Sequence, residues 1–169
     1  VIAAAIAFIL PPSPVSAAIS EYQVKAAFIY NFAKFVEWPE RAFDDSDSPL
    51  VIGILGDDPF GSALENIVRG KSVNGRKLVI RHYRRVKEAA GSHILYVCPS
   101  EQRNVERILN ELKDSPVLTV GETERFAQRG GMIGFVLENQ RVGFEINLDA
   151  ARRAGLKISC KLLKLAKLV

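Results

Sequence analysis

Hydrophobic and polar positions change period several times along this chain, and each change marks an element. Val24, Ala27, Phe28, Phe32 and Phe35 recur at three- and four-residue spacing, which predicts one apolar face of a helix. Ser20 and Gln23 form a capping-box pair that places the helix start at Ser20. Trp38-Pro39 ends it, because proline pushes the preceding residue out of α geometry. Residues 50–55 (LVIGIL) form a short apolar run between turn residues, as expected of a buried, parallel strand. Asp58 then caps a helix over residues 60–68 with Pro59 at its first position, and Gly70 stops it. Val73-Asn74-Gly75-Arg76 reads as a turn into a second strand, 77–83, and a short helix at 85–90 leads to a third, 93–98. A helix over 101–112, a fourth strand at 117–120 and a short helix at 122–128 follow. The pattern then switches to two strands, 132–137 and 141–146, joined through Glu138-Asn139-Gln140 as an antiparallel hairpin. Asn147 or Asp149 starts a short helix that Gly155 ends, and a last helix is expected from Ser159 to about Leu168. Strands alternating with helices predict a single α/β domain: a mostly parallel, mixed sheet flanked by helices and closed by a C-terminal hairpin.

The chain ends in a segment with two distinct sides. Ile158, Leu162, Leu165 and Val169 line one face of the expected last helix, and Lys157, Lys161, Lys164 and Lys167 the other. The simplest reading is a docked helix with a solvated face. The alternative is contact with an anionic lipid or peptidoglycan surface. At the other end, residues 1–10 (VIAAAIAFIL) are uninterrupted apolar, followed by prolines and Val15-Ser16-Ala17. An apolar run of about 7–15 residues before a small-x-small site is the pattern of a secretory signal peptide, and it is too short to span a bilayer. Cleavage is expected after Ala17, with Ala18 as the alternative, so that 1–17 is a leader lacking its basic start and 18–169 is the mature domain.

Composition narrows the possible functions. The 169 residues carry a net charge of +4, but lysines and arginines alternate with acidic residues along the chain, so no nucleic-acid partner is expected. Cys98 and Cys160 are the two cysteines, and in an oxidising compartment they either pair or stay as separate buried thiols. His82 and His93 fall in or beside strands, where packing accounts for them. No zinc-protease, redox-dithiol, phosphate-loop or nucleophile-elbow motif occurs, so no cofactor, metal or catalytic residue is assigned. The one site-like loop, 53–61 (GILGDDPFG), joins a strand end to a helix start. Asp57 and Asp58 there would repel a phosphate, and a structural turn is the preferred reading. Recognition candidates remain. Glu145 and Asn147 alternate with apolar neighbours beside Phe144 and near Arg141, which gives either a binding patch or a solvent face plus a helix cap. The first helix carries more aromatics than one face can bury, leaving Tyr30 and Trp38 as possible anchors for a dimer or partner.

Four stretches taken together resemble the YfiR family of exported proteins: 25–39 (KAAFIYNFAKFVEWP), 52–61 (IGILGDDPFG), 119–121 with 130–133, and 141–169 (RVGFEINLDAARRAGLKISCKLLKLAKLV). The resemblance implies a periplasmic, dimer-forming α/β protein. It would repress an inner-membrane diguanylate cyclase by contacting its periplasmic sensor region, and an outer-membrane lipoprotein would relieve that repression by sequestration. It also implies a binding role for the strand that bears Glu145. Several relatives have Cys where this chain has Ser92, so a bridge between Cys98 and Cys160 would not be theirs. The expected function is therefore a non-enzymatic periplasmic regulator, with a small-ligand-binding module as the alternative.

Overall fold

A computed structural model describes residues 14–169, with side chains from residue 21 onward. Residues 1–13 of the expected leader, 1–17, lie outside the described residues. In chain order the elements are α1 (Pro14–Phe35), β1 (Val36–Glu37), β2 (Leu50–Leu55), α2 (Ala63–Val68), β3 (Ser72–Val73), β4 (Arg76–Tyr83), β5 (Ile94–Val97), α3 (Val105–Leu112), β6 (Leu118–Gly121), β7 (Ile133–Glu138), β8 (Arg141–Ile146), α4 (Leu148–Arg153), β9 (Lys157–Ile158), α5 (Cys160–Leu163) and β10 (Lys167–Leu168). Short 3₁₀ turns connect several of them.

Eight strands form one mixed sheet in the order β10-β8-β7-β6-β5-β2-β4-β3, and β1 pairs separately with β9. The β4-β2-β5-β6-β7 run is parallel. β8 returns antiparallel to β7 through a tight turn in which Asn139 and Gln140 both have positive φ. The expected α/β class, mixed sheet and closing hairpin are all present. Alternation along the strands sorts the core into two layers. Ile52, Ile54, Tyr96, Val120, Phe135 and Phe144 pack under α1 and α2, whereas Leu55, Leu95, Val97 and Phe126 face α3 on the other side.

Five expectations need correction. First, α1 begins at Pro14, so Ser20 lies within the helix. Proline suits a first turn, where its missing N–H is not needed. Second, the buried stripe of α1 is Ala26, Ile29, Phe32 and Ala33, with Lys25 on it, while Val24 is 41% exposed. The helix is rotated by about one residue from the expected face, because small Ala26 and Ala33 let it approach the sheet. It also stops at Phe35, three residues before Trp38, because Val36 and Glu37 extend to pair with Ile158 and Lys157. Third, α2 starts at Ala63 after Ser62, and Asp58 instead accepts the Phe60 N–H at 2.7 Å as a local turn. Fourth, residues 122–128 form successive turns with Arg125 at φ 56°, not a helix, as the ring of Phe126 is driven against Gly121 and Gly131. Fifth, the final helix is the single turn α5, after which Lys167–Leu168 join the sheet beside β8. The two-faced terminal helix is therefore absent. Hydrogen bonding to an open strand edge outweighs the continuation of a short helix.

Candidate functional site

The parallel order β4-β2-β5-β6-β7 places the first strand of the run, β2, between the second and third, so the chain leaves β2 in opposite directions. Between β2 and β5 the sheet has its topological switch point, and beside it a crevice opens at the carboxyl ends of β2 and β4, with Glu101 after β5 on its other side. Gly56 begins the loop there at φ 98°. A Cβ on it would lie 2.5 Å from Ser100 Oγ, so only glycine fits. The freed Asp57 N–H donates to Ser100 Oγ at 2.9 Å, and Asp58 reaches His82 Nε2 with its other oxygen at 2.8 Å. The resulting open cavity, about 440 Å³, is lined by Gly56, Asp57, Asp58, His82, Arg84 and Glu101. The loop at 53–61 thus builds both a turn and one wall of a polar crevice.

Next to this crevice, under the middle of α1, lies a buried polar cluster. Lys25 is 3% exposed, and its ammonium donates to Glu21 and Glu122. Glu122 also accepts from the Tyr96 hydroxyl and, at 3.0 Å, from the Tyr22 hydroxyl. Burial and the Glu122 carboxylate push both tyrosines well above the usual phenol range, so both remain donors. Lys25 sits 4.5 Å over the Tyr22 ring, adding a cation–π contact. Residues from α1, β5 and the end of β6 are locked together here. Sequence reasoning missed this cluster, although a lysine in step with Ile29 and Phe32 was its readable sign.

The recognition candidates are distributed over separate places. Phe144 is core, packed at 5.2 Å ring distance against both Phe28 and Phe32. Glu145 lies on the opposite sheet face, 7% exposed, held by Gln128 Nε2 at 2.7 Å and Lys167 Nζ at 3.2 Å. Asn147 caps α4 through the Ala150 N–H and donates to the Ala127 carbonyl. Glu145 and Asn147 are therefore held by the same 122–131 turn segment. Arg141 is exposed at the far end of the hairpin, beside an open cavity lined by Glu138, Asn139, Val142 and Gly143. Tyr30 carries Lys71 at 4.4 Å and Lys34 at 5.5 Å over its ring. The Trp38 indole donates to the His93 carbonyl at 2.9 Å. His93 is a satisfied interior group: Nδ1 accepts the Val51 N–H and Nε2 donates to the Ala42 carbonyl, and burial holds its pKa below the usual range. Cys98 and Cys160 are free. Cys98 is fully buried at the end of β5, and Cys160 is exposed in α5, so the pairing left open by the sequence is not formed. Burial, with Asp58 and other carboxylates nearby, pushes the Cys98 thiol up to about 12.

An apolar groove is left uncovered on α1. Val24, Ala27 and Phe28 on α1, with Gln23 and Asn31, border a groove of about 350 Å³. Leu137 of β7, 58% exposed, lies on the sheet face that carries Phe135.

The sequence from residue 22 to 167 matches the family model described as YfiR/HmsC-like, which takes in α1 from Tyr22, the whole sheet and Lys167 of its edge strand. The chain belongs to the YfiR/HmsC-like family. This is a family of periplasmic, non-catalytic regulators of cyclic-di-GMP signalling that act in general on a membrane sensor or cyclase. Two solved structures share the fold. One is the ABC domain in complex with L-Trp from Streptococcus pneumonia, at 12% identity and TM-score 0.54, covering 88% of this chain and 60% of that one. The other is a conserved domain protein from Vibrio cholerae O1 biovar eltor, at 14% identity and TM-score 0.54, covering 87% and 59%. The chain spans about three fifths of the length of each. Among the described residues no helix is long and apolar enough to cross a membrane.

Proposed function

We propose that this YfiR/HmsC-like protein represses a membrane-bound diguanylate cyclase, or a similar sensor, by direct contact through the uncovered face of α1. The observation that carries the reading is the apolar groove along Val24, Ala27 and Phe28, where Val24 stands 41% exposed. Large apolar side chains left in water beside a groove mark interaction surfaces. Repression requires the protein to bind the sensor's inactive state more tightly than its active one. The leader at 1–17 would be removed on export, leaving 18–169 to act in the periplasm, and an outer-membrane lipoprotein would compete for the protein. Cleavage after Ala17 would take four residues from α1, 14–17. The mass of the exported protein tests that point.

Val24→Asp adds a charge to the groove without entering the core. It should raise cellular cyclic-di-GMP to the level of a deletion strain, and it should abolish photo-crosslinking from position 27 to a membrane cyclase. Unchanged cyclic-di-GMP with intact crosslinking would refute the reading.

A second reading is favoured by the crevice at the switch point. A small polar ligand held among Asp57, Asp58, His82 and Arg84 would sit where open α/β sheets place ligands, and a protein of this fold is known with L-Trp bound. A thermal-shift screen of amino acids and amines tests it. No compound raising Tm would remove it.

A further inference from the structure

The alternation of basic and acidic residues along the chain is broken most strongly at residues 69–87 (RGKSVNGRKLVIRHYRRVK). This stretch carries eight lysines and arginines and no acidic residue, leaving 15 basic against 19 acidic residues in the rest of the chain. The fold lays it along one border of the sheet. Outside β4 lie only the two residues of β3, and the Leu78 N–H donates to the Lys71 carbonyl. Beyond Leu78 no strand covers β4 on that side among the described residues. Charge stands on both sides of this edge. Lys77 and Arg81 share the sheet face of Tyr83, which packs toward α3, and they lie about 13 Å apart at the rise of an extended chain. On the opposite face Lys71 and Lys34 share the Tyr30 ring, at 4.4 and 5.5 Å. Arg84 and Lys87 continue the row past the end of β4.

Two of the eight charges have an internal task. Arg76 donates to the Asp45 and Ser48 carbonyls and stacks on Phe43, and Arg85 pairs with Glu88. Arg69, Lys71, Lys77, Arg81, Arg84 and Lys87 are exposed and make no salt bridge among the described residues. A charge or two is enough to guard an open strand edge against pairing. Six unneutralised cations go beyond that and create a positive potential that attracts anions. We propose that this edge docks on the headgroup layer of a bilayer rich in anionic phospholipid. Basic side chains beside such a layer each add attraction without a fixed geometry, and Lys77 and Arg81 are too far apart to share one small anion. A protein partner is normally gripped through an apolar centre, and no exposed large apolar side chain among the described residues lies in this stretch. The C-terminal basic residues are less free, because Lys167 is engaged by Glu145 and Arg152 by Asp149. For a family that acts in general on a membrane sensor or cyclase, docking on the membrane raises the concentration of the protein at its target. The inference does not rest on the α1 groove, and the two fail separately.

Co-sedimentation of the mature protein with lipid vesicles tests it. Vesicles containing phosphatidylglycerol should carry the protein down, and vesicles of phosphatidylcholine alone should not. Salt at about 1 M, where the screening length is about 3 Å, should release it. The combined variant Lys77→Gln, Arg81→Gln and Lys87→Gln should bind about fivefold more weakly per residue, roughly a hundredfold in all, with Tm unchanged. The equally charged variant Lys157→Gln, Lys161→Gln and Lys164→Gln should bind like the wild type. So should Val24→Asp, which separates docking from the α1 reading. A wild type that does not distinguish the two lipids overturns the inference. So does undiminished binding by the first triple variant, or an equal loss in both. Release by glycerol phosphate would reveal a pocket for a single headgroup, and binding to soluble polyglutamate but not to vesicles would give the edge to an acidic protein; either result also overturns it.

Discussion

Lys25→Met is the sharpest probe of how α1 is fixed to the sheet. Methionine keeps most of the apolar stem but removes the charge, leaving Glu122 with the hydroxyls of Tyr22 and Tyr96 and no cation. Breaking a fully buried pair by deleting one partner costs about 3–5 kcal/mol. The Glu122 and Glu21 side chains retain 15% and 31% exposure, and two hydroxyls still solvate Glu122, so the lower end applies, about 3 kcal/mol. For a domain of this size each kcal/mol moves Tm by about 2–4 °C, so a fall of roughly 6–12 °C is expected by differential scanning calorimetry. Adding Glu122→Gln to Lys25→Met removes the stranded charge and should recover about 1–2 kcal/mol, a coupling of the size found between contacting residues. A fall in Tm of less than about 2 °C for the single variant would show that the cluster is not coupled to stability. A double variant as unstable as the sum of both singles would show that the charges do not interact.

Other outcomes follow from the same geometry. His93 is held neutral by burial, with its folded pKa below the unfolded value of 6.5; the unfolded chain takes up the proton first as pH falls. Stability from this residue is therefore full above about pH 6.5 and declines below it, and His93→Asn should flatten that part of a urea-midpoint profile. An unchanged profile would remove His93 as its source. Cys160 should react with Ellman's reagent in the native protein at pH 8, and Cys98, buried and with its thiol raised to about 12, only on unfolding; two fast thiols would contradict the packing of β5. Gly131→Ala would place a Cβ 2.2 Å from the Phe126 ring and 2.8 Å from its carbonyl, and should cost about 1–3 kcal/mol in chemical denaturation. Gly130→Ala, with nothing within 4 Å but φ 103°, separates backbone strain from overpacking.

Local pattern determined much of this protein. The run at 50–55 read as an interior strand, Val73-Asn74-Gly75-Arg76 and Glu138-Asn139-Gln140 as turns, and the alternation after residue 132 as a hairpin, and the structure has all of these. Those features depend on side-chain period and on φ preferences, which neighbours in sequence fix. The four stretches resembling YfiR proteins named the family correctly, because that signal too is written in order and spacing. What escaped the sequence depended on distant partners. The apolar periodicity of α1 permitted two adjacent stripes, and the choice fell to Ala26 and Ala33 meeting the sheet and to Lys25 finding Glu122 nearly a hundred residues away. Residues 164–168 were helical by local pattern, yet they straightened because β8 offered an unfilled edge. The crevice at the carboxyl ends of β4, β2 and β5 exists only once strand order is set. Strand order follows from burying two sheet faces at once, a condition no single segment contains.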